Sequence, residues 1–281
     1  MRARLWLAGL TVVVVGVVLS ARAAMVPVAF MAGADQASGA GQVSGSWTAK
    51  THPEWKGDDV VPRVQLSLRT VEDRDHWGFG VPIAELTDLP GAAREGVVRE
   101  ARFTLTREAG MFRFTGSFEG GQAAGTFVFL PNAGYVTAMA GLGYHNLPRE
   151  TLMRLAVLDV TAAFTRDLRD AGQSNLTLDD LTRMKIHGVT TEFIAGLKSR
   201  SYTGLTADDY TRMRIHGVTL AEVDALVAAG LRGLSADDLV RLRIHKVDAA
   251  FVRDARTDGL QVVTADDAVD LAIHGRRWRR R

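Results

Sequence analysis

Apolar and polar side chains alternate along the chain between about residues 46 and 131. In MFRFTGSF (111–118), for example, the phenylalanines alternate with arginine, threonine and serine. Alternation of this kind, rich in aromatic and β-branched residues, predicts strands with one buried face. The segments that show it are SWTAK (46–50), VQLSLR (64–69), HWGFGV (76–81), ARFTLTRE (101–108), MFRFTGSF (111–118) and GTFVFLP (125–131).

Two short segments between these strands have the composition of hairpin turns. They are Glu108-Ala109-Gly110 and Glu119-Gly120-Gly121-Gln122, and both predict antiparallel neighbours. The phenylalanine-rich face must be covered, so we expect the sheet to fold over itself as a small sandwich or barrel. We therefore predict a β-rich domain over residues 46–131.

Beyond residue 147 the pattern repeats every 29 residues. The repeated units open as LPRETL, LTLDDL, LTADDY, LSADDL and VTADDA, at Leu147, Leu176, Leu205, Leu234 and Val263. A fixed period of this length indicates stacked supersecondary units that bury their apolar faces on one another. We predict that residues 147–275 form these helical repeats.

One unit contains the signals for two helices. Thr206 is a predicted N-cap, and Asp209 three residues later completes a variant of the capping box. His216-Gly217 predicts the end of the first helix, and Thr219 the cap of a second helix that stops at Gly230. The chain is thus predicted to be α+β with two domains: an N-terminal antiparallel β sandwich or barrel, then a C-terminal α-helical repeat array of helix pairs.

The remaining segments are assigned by composition. Residues 1–23 combine early arginines, an apolar run and small residues, which predicts a secretory signal peptide, with an uncleaved anchor as the alternative. Residues 24–45 are rich in Ala, Gly and Ser and predict a flexible linker. Residues 132–146 predict a connecting helix capped by Asn132.

Composition narrows the choice of partners and location. The formal net charge of the 281-residue chain is only +2, so no nucleic acid partner is expected. The chain has no cysteine, which excludes disulfides and thiolate chemistry. Together with the export signal, this favours a bacterial envelope protein in the periplasm or on the outer face of the cytoplasmic membrane.

The C-terminal segment 276–281 is strongly basic. Its sequence RRWRRR combines arginine with one tryptophan, a composition suited to an anionic surface such as lipid headgroups. A disordered charged terminus is the alternative. The residues of this predicted site are Arg276, Arg277, Trp278, Arg279, Arg280 and Arg281.

Four histidines recur at the same 29-residue interval. Zinc needs its ligands about 2 Å from one ion, whereas equivalent residues on stacked helices lie about 8–10 Å apart. We therefore expect no metal or other cofactor, and predict that these histidines cap helices, with a pH-responsive or partner contact as the alternative. They are His187, His216, His245 and His274.

The repeats also carry a row of basic residues and a row of aspartate pairs. A solvated face with ion pairs between repeats explains them, and a stripe that binds a protein partner is the alternative. The basic residues of this candidate stripe are Arg183, Lys185, Arg212, Arg214, Arg241 and Arg243.

The β-rich domain offers a different candidate site. Aromatic residues on its predicted inner face could line a pocket for a small apolar ligand or lipid. No HExxH, GxSxG or phosphate-binding glycine loop is present, so the sequence indicates no enzyme activity. The candidate lining residues are Trp47, Trp77, Phe112, Phe114 and Phe127.

The segment LTADDYTRMRIHGVTLAEVDALVAAGLRGLSADDLVRLRIHKV (205–247) resembles helical repeats of bacterial envelope proteins of unassigned function. It is also similar to C-terminal repeats appended to some membrane metalloproteases of the β-lactam sensor-transducer type. The resemblance covers about residues 147–275, and the zinc motif of those proteases is absent. It implies an exported or membrane-attached accessory role, and no catalytic residue carries over.

These observations favour one function and leave a second open. The first is a non-catalytic, exported interaction scaffold of the bacterial envelope that binds a protein partner through its helical repeats. The alternative is a protein that binds a small apolar ligand or lipid in the aromatic β domain.

Overall fold

The computed structural model describes residues 42–51, 63–71, 76–91 and 97–275. The predicted signal peptide, the predicted linker up to residue 41 and the basic tail lie outside these ranges. The first strand begins at Val43, so the last three residues of the predicted linker belong to the sheet.

In the described ranges, seven antiparallel strands form one sheet. Each of the six predicted strands is present, and the structure adds a two-residue strand too short for alternation to reveal. The strands are β1 (Val43–Thr51), β2 (Arg63–Thr70), β3 (His76–Pro82), β4 (Leu86–Thr87), β5 (Val97–Arg107), β6 (Gly110–Glu119) and β7 (Gln122–Pro131). Their order across the sheet is β3-β2-β1-β7-β6-β5-β4.

The sheet curls strongly, because its two edge strands are neighbours in the chain. Strands β3 and β4 stand at opposite ends of the strand order, yet only the 3₁₀ turn Ile83–Glu85 separates them. So short a segment spans at most about 14 Å. The edges therefore come close together, and the sheet has the shape of a half-barrel.

Alternation along the strands places the aromatic residues on the inner face. On β6 the inner phenylalanines are buried and the residues between them are mostly exposed. The rings pack on one another: Trp47 lies edge-on to Phe103 with 5.2 Å between centroids, and Phe103 stacks on Phe114 at 4.7 Å. This cluster is the core of the half-barrel.

A pair of glycines allows the strands to approach closely beside Trp47. Gly116 and Gly125 face each other across β6 and β7, and a Cβ on Gly125 would lie 2.0 Å from the Thr115 carbonyl oxygen. The Trp47 indole Nε1–H donates to that same oxygen at 3.2 Å. Glycine is needed at this pair because any side chain would push the strands apart.

Ten helices follow the sheet in the described part of the chain, which confirms the α+β, two-part layout. None of the described helices is long and apolar enough to cross a membrane. They are α1 (Ala133–Gly141), α2 (Arg149–Val157), α3 (Ala162–Asp170), α4 (Leu178–Ile186), α5 (Thr191–Ser199), α6 (Ala207–Ile215), α7 (Leu220–Ala228), α8 (Ala236–Ile244), α9 (Ala249–Thr257) and α10 (Ala265–His274).

The predicted connecting helix is itself part of the repeat. Helix α1 begins at Ala133, and α3 begins at Ala162, one 29-residue period later. Its N-cap Asn132 accepts from the Gly134 N–H, as Thr161 accepts from the Phe164 N–H at the start of α3. The helical array therefore begins immediately after β7 rather than at residue 147.

The helices form two rows. The even-numbered helices, which we call the A row, contain consecutive contacts α4–α6, α6–α8 and α8–α10. The odd-numbered helices, the B row, contain the contacts α1–α3, α5–α7 and α7–α9. These contacts join helices that stand one repeat apart, as in an α-solenoid.

The sheet and the array share one core. Helix α2 packs against β1, β6 and β7, and its residues Leu152 and Leu155 are buried. At the β5–β6 turn, a carboxylate oxygen of Glu108 accepts from the Ala162 N–H of α3 at 3.0 Å. The inner face of the half-barrel is therefore covered by the first A-row helix.

Candidate functional site

Arginines of the A row join each helix to the next. Arg183 lies 2.8 Å from Asp208 and Arg212 lies 2.6 Å from Asp237, each aspartate standing in the first turn of the following A-row helix. The same bridge recurs at both ends of this series, between Arg154 and Asp179 at 3.3 Å and between Arg241 and Asp266 at 2.7 Å.

The other basic residues of the predicted stripe point back to the preceding repeat. The Nε–H of Arg214 donates to the Gly188 carbonyl, and its guanidinium lies 5.2 Å from the Phe193 ring centroid. Arg243 donates to the His216 carbonyl at 3.1 Å. Lys185 follows the same pattern, 3.6 Å from Asp159 at the end of α2.

All six predicted partner-binding cations are thus engaged between repeats. These contacts support the interpretation in which the basic residues hold the array together. The ion-paired side chains are partly exposed, so each ion pair contributes about 0–1 kcal/mol.

The histidines stand at the C-terminal ends of the A-row helices. His187, His216 and His245 occupy the C-cap, and their backbone N–H groups donate to carbonyls of the last turn. His274 is the last residue of α10, and its Nδ1 lies 3.1 Å from the Asp270 carbonyl oxygen. Within the described ranges no group of three or more His, Cys, Asp or Glu is placed to hold a metal.

Immediately before each histidine stands an exposed isoleucine. These four residues, which we call the isoleucine row, are among the few large apolar side chains exposed in the described chain. They are Ile186 (57% exposed), Ile215 (48%), Ile244 (52%) and Ile273 (53%).

The isoleucine row was not predicted from the sequence, although a signal for it exists. The buried stripe of α4 includes Leu181 and Met184, and a residue two positions after Met184 lies on the opposite side of a helix. Ile186 is therefore out of phase with the core. An apolar residue out of phase in four successive repeats is a candidate contact residue.

The isoleucine row sits beside the charged bridges on the outer face of the A row. On α6, Asp208, Arg212 and Ile215 are spaced i, i+4 and i+7, so they lie along one side of the helix. The outer face thus carries a row of ion pairs and, nearer the C-terminal helix ends, a parallel row of isoleucines.

The first repeat differs, because its equivalent position is covered. Val157 stands one period before Ile186 and is only 6% exposed. Close by, Arg107 of β5 lies 4.0 Å from Asp159, and Glu108 caps α3. The end of the β5–β6 hairpin therefore meets the array at Asp159 and Ala162, which follow Val157 in the chain.

The structure brings most of the aromatic residues proposed as a ligand pocket together, but their rings pack against one another. Trp47, Phe112, Phe114 and Phe127 are buried, and neighbouring ring centroids lie about 5–6 Å apart. Trp77 lies on the edge strand β3 and is only half-buried. A ligand in this interior would have to displace side chains that already fill it.

A cavity of about 670 Å³ lies between α7 and the segments that follow α5 and precede α8. Its walls include Tyr202, Val227 and Leu234, and Arg200 at its edge donates to Asp224 at 2.6 Å. That hydrogen bond holds the pKa of the Asp224 carboxyl below its ordinary value. Val227 is 54% exposed, so this cavity is open to solvent on its apolar side.

No protein family, curated protein or solved structure matches this chain. The resemblance to envelope repeats therefore stays a prediction from the repeat motif. Inferences about function therefore rest on the surfaces of the sheet and the array.

Proposed function

We propose that this chain is a non-catalytic, exported interaction scaffold of the bacterial envelope, which binds a protein partner through its helical repeats. The observation that carries the proposal is the isoleucine row. Export rests on the sequence of residues 1–23, and contact of residues 276–281 with an anionic membrane surface stays a prediction.

The exposure of the row is costly unless another molecule covers it. Each half-exposed isoleucine leaves apolar surface in water. Burial of that surface would lower the free energy by about 25 cal/mol per Å². Four such residues in line are unusual on the surface of a monomer, where apolar side chains are normally scattered. A regular apolar row on a solenoid favours a binding surface.

The charged residues support an apolar contact rather than an electrostatic one. Arg183, Arg212 and Arg241 are bridged to aspartates of the next repeat. A partner that relied on these cations would have to break contacts that align the array. A partner that packs on the isoleucines would break none of these ion pairs.

The alternative, a small apolar ligand in the β domain, receives less support. The aromatic rings fill the interior, and α2 packs on three of the strands. We therefore favour the scaffold.

Site-specific photo-crosslinking tests the proposal. A benzoylphenylalanine at Ile215, in the full chain expressed in its native cells, should yield a discrete adduct with another protein. The same probe at Val227, which is exposed to a similar degree on the B row, is the matched control and should yield none.

Two results would count against a scaffold that acts through the isoleucine row. One is the absence of any protein adduct at Ile215, and the other is the same adducts at both sites. The second would indicate that exposed apolar residues of this chain react without selectivity.

A further inference from the structure

We infer that the isoleucine row binds an amphipathic α-helix of the partner, in which apolar residues recur at every seventh position. The inference rests on the proposed function and adds the class of partner surface. It follows from the spacing of the row, its flanking charges and its continuity with the covered first repeat.

The spacing of the row matches a helix better than a strand. Packed helices lie about 8–10 Å apart, so successive isoleucines on contacting A-row helices are separated by about that distance. Two turns of an α-helix rise about 10.5 Å over seven residues. On one face of a strand, side chains recur about every 6.7 Å. This spacing is shorter than that of the row, so the side chains of a strand would not stay aligned with successive isoleucines.

The charged residues beside the row indicate what kind of partner surface fits it. On one side of the row, Arg183 and Arg212 are neutralised by aspartates of the following repeats. The guanidinium of Arg214 is turned onto a backbone carbonyl and the Phe193 ring. With these charges paired, the complementary surface is an apolar stripe with polar flanks, which is an amphipathic helix.

The row continues an interface that already exists within the chain. At Val157, on the helix that packs against β1, β6 and β7, the same position is buried within the chain. From Ile186 to Ile273 the described chain leaves the next four positions exposed. A partner helix of about 22 residues would supply apolar side chains at i, i+7, i+14 and i+21 to cover them.

Binding of designed peptides to the full chain tests the inference. The probe is a fluorescein-labelled peptide of about 24 residues with leucine at every seventh position and Glu, Lys and Ala elsewhere. The control peptide has the same composition with its leucines distributed around the helix. In fluorescence anisotropy, the regular peptide should bind about ten-fold or more tightly than the control.

Variants of the chain locate the site. Ile215→Asp and Ile244→Asp should each weaken binding of the regular peptide about ten-fold, because each places a charge against its apolar stripe. Val227→Asp is the matched control and should leave binding unchanged. Ile215→Ser, which adds no charge, should weaken binding in the same direction, and circular dichroism should show all four variants folded.

Equal binding of the two peptides, or an equal loss in Val227→Asp, would overturn the inference. Sedimentation supplies a further outcome: self-association abolished by Ile215→Asp would make a second copy the occupant and likewise overturn it. If Ile215 crosslinks to a protein while neither peptide binds, only the helical nature of the partner fails. The absence of a crosslink at Ile215 would remove the proposed function as well.

Discussion

Tyr135 shows how a single buried side chain fastens the start of the array. It lies on α1, is buried, and its hydroxyl donates to the Val160 carbonyl at 2.8 Å. Burial first, and then the carboxylates of Glu108 and Asp159, raise the pKa of the phenol well above its ordinary value. The folded protein therefore holds this proton more tightly than the unfolded chain.

That difference predicts a loss of stability at high pH. Because the folded pKa is raised, the contribution of Tyr135 is fully present below the unfolded value of about 10 and declines as the pH rises above it. Tyr135→Phe should cost about 1 kcal/mol near neutral pH through the lost hydrogen bond. Above pH 10 the stability of the variant should fall less steeply than that of the parent.

Urea unfolding between pH 8 and 11.5 measures this effect. Part of the slope should persist in the variant, because burial also raises the pKa of Tyr144 and Tyr210. Identical slopes in the parent and Tyr135→Phe would contradict a role for this phenol.

At the scale of single helices, we expect the N-caps to stabilise the array more than the surface ion pairs do. The predicted capping box at the start of α6 is confirmed: Thr206 accepts from the Asp209 N–H, and Asp209 accepts from the Thr206 N–H. The same box recurs at Thr177, Ser235 and Thr264. In the first unit Pro148 occupies this place without a side-chain cap, and there α2 is held by packing on the sheet.

Removing one cap should be measurable. Thr206→Ala should lower the free energy of unfolding by about 1 kcal/mol, because the first turn of α6 loses an acceptor. Thr206→Ser retains the hydroxyl and should stay within about 0.5 kcal/mol of the parent. Denaturant unfolding of both variants gives the comparison.

The ion pair between Arg212 and Asp237 provides a comparison for the stability that this cap contributes. In a double-mutant cycle, Arg212→Ala and Asp237→Ala should couple by less than about 1 kcal/mol, because both side chains are substantially exposed. A coupling energy larger than the cost of Thr206→Ala would show that the bridge stabilises the array more than the cap does.

At the scale of the whole molecule, the half-barrel depends on the helices that follow it. Leu152, Met153 and Leu155 of α2 are buried, and full burial of such side chains contributes about 1.5–3 kcal/mol each. Their sum is comparable with the total stability of a small domain, about 5–15 kcal/mol. The sheet without α2 would expose its aromatic core.

Truncation tests this dependence. A chain of residues 42–131 should lack a cooperative thermal transition or aggregate, whereas residues 42–172, which keep α1, α2 and α3, should unfold cooperatively. Circular dichroism and sedimentation distinguish these outcomes. A shorter chain that melts within a few degrees of the longer one would show that the sheet is stable alone.

Several features of the array can be predicted from sequence because they are local. Thr206 and Asp209 are three residues apart, so their mutual hydrogen bonds depend only on the first helical turn. Strand alternation is similarly local, and the phenylalanines of β6 follow it. Strand β4 escapes prediction because two residues carry no pattern, and α1 was separated from the repeats because the opening motif at Leu147 comes after it.

Local patterns in the sequence are sufficient to predict the 29-residue period, the helix caps, the alternating strands and the two-part α+β layout. The pairing of the predicted basic stripe between repeats is visible only in the folded chain, because Arg212 and Asp237 lie 25 residues apart in sequence and meet when the repeats stack. The fold also decides which members of one repeated position are covered. Val157 is covered, whereas Ile186 and its counterparts are exposed. Exposure depends on which elements pack over a position, and Val157 belongs to α2, the helix that packs against three strands of the sheet.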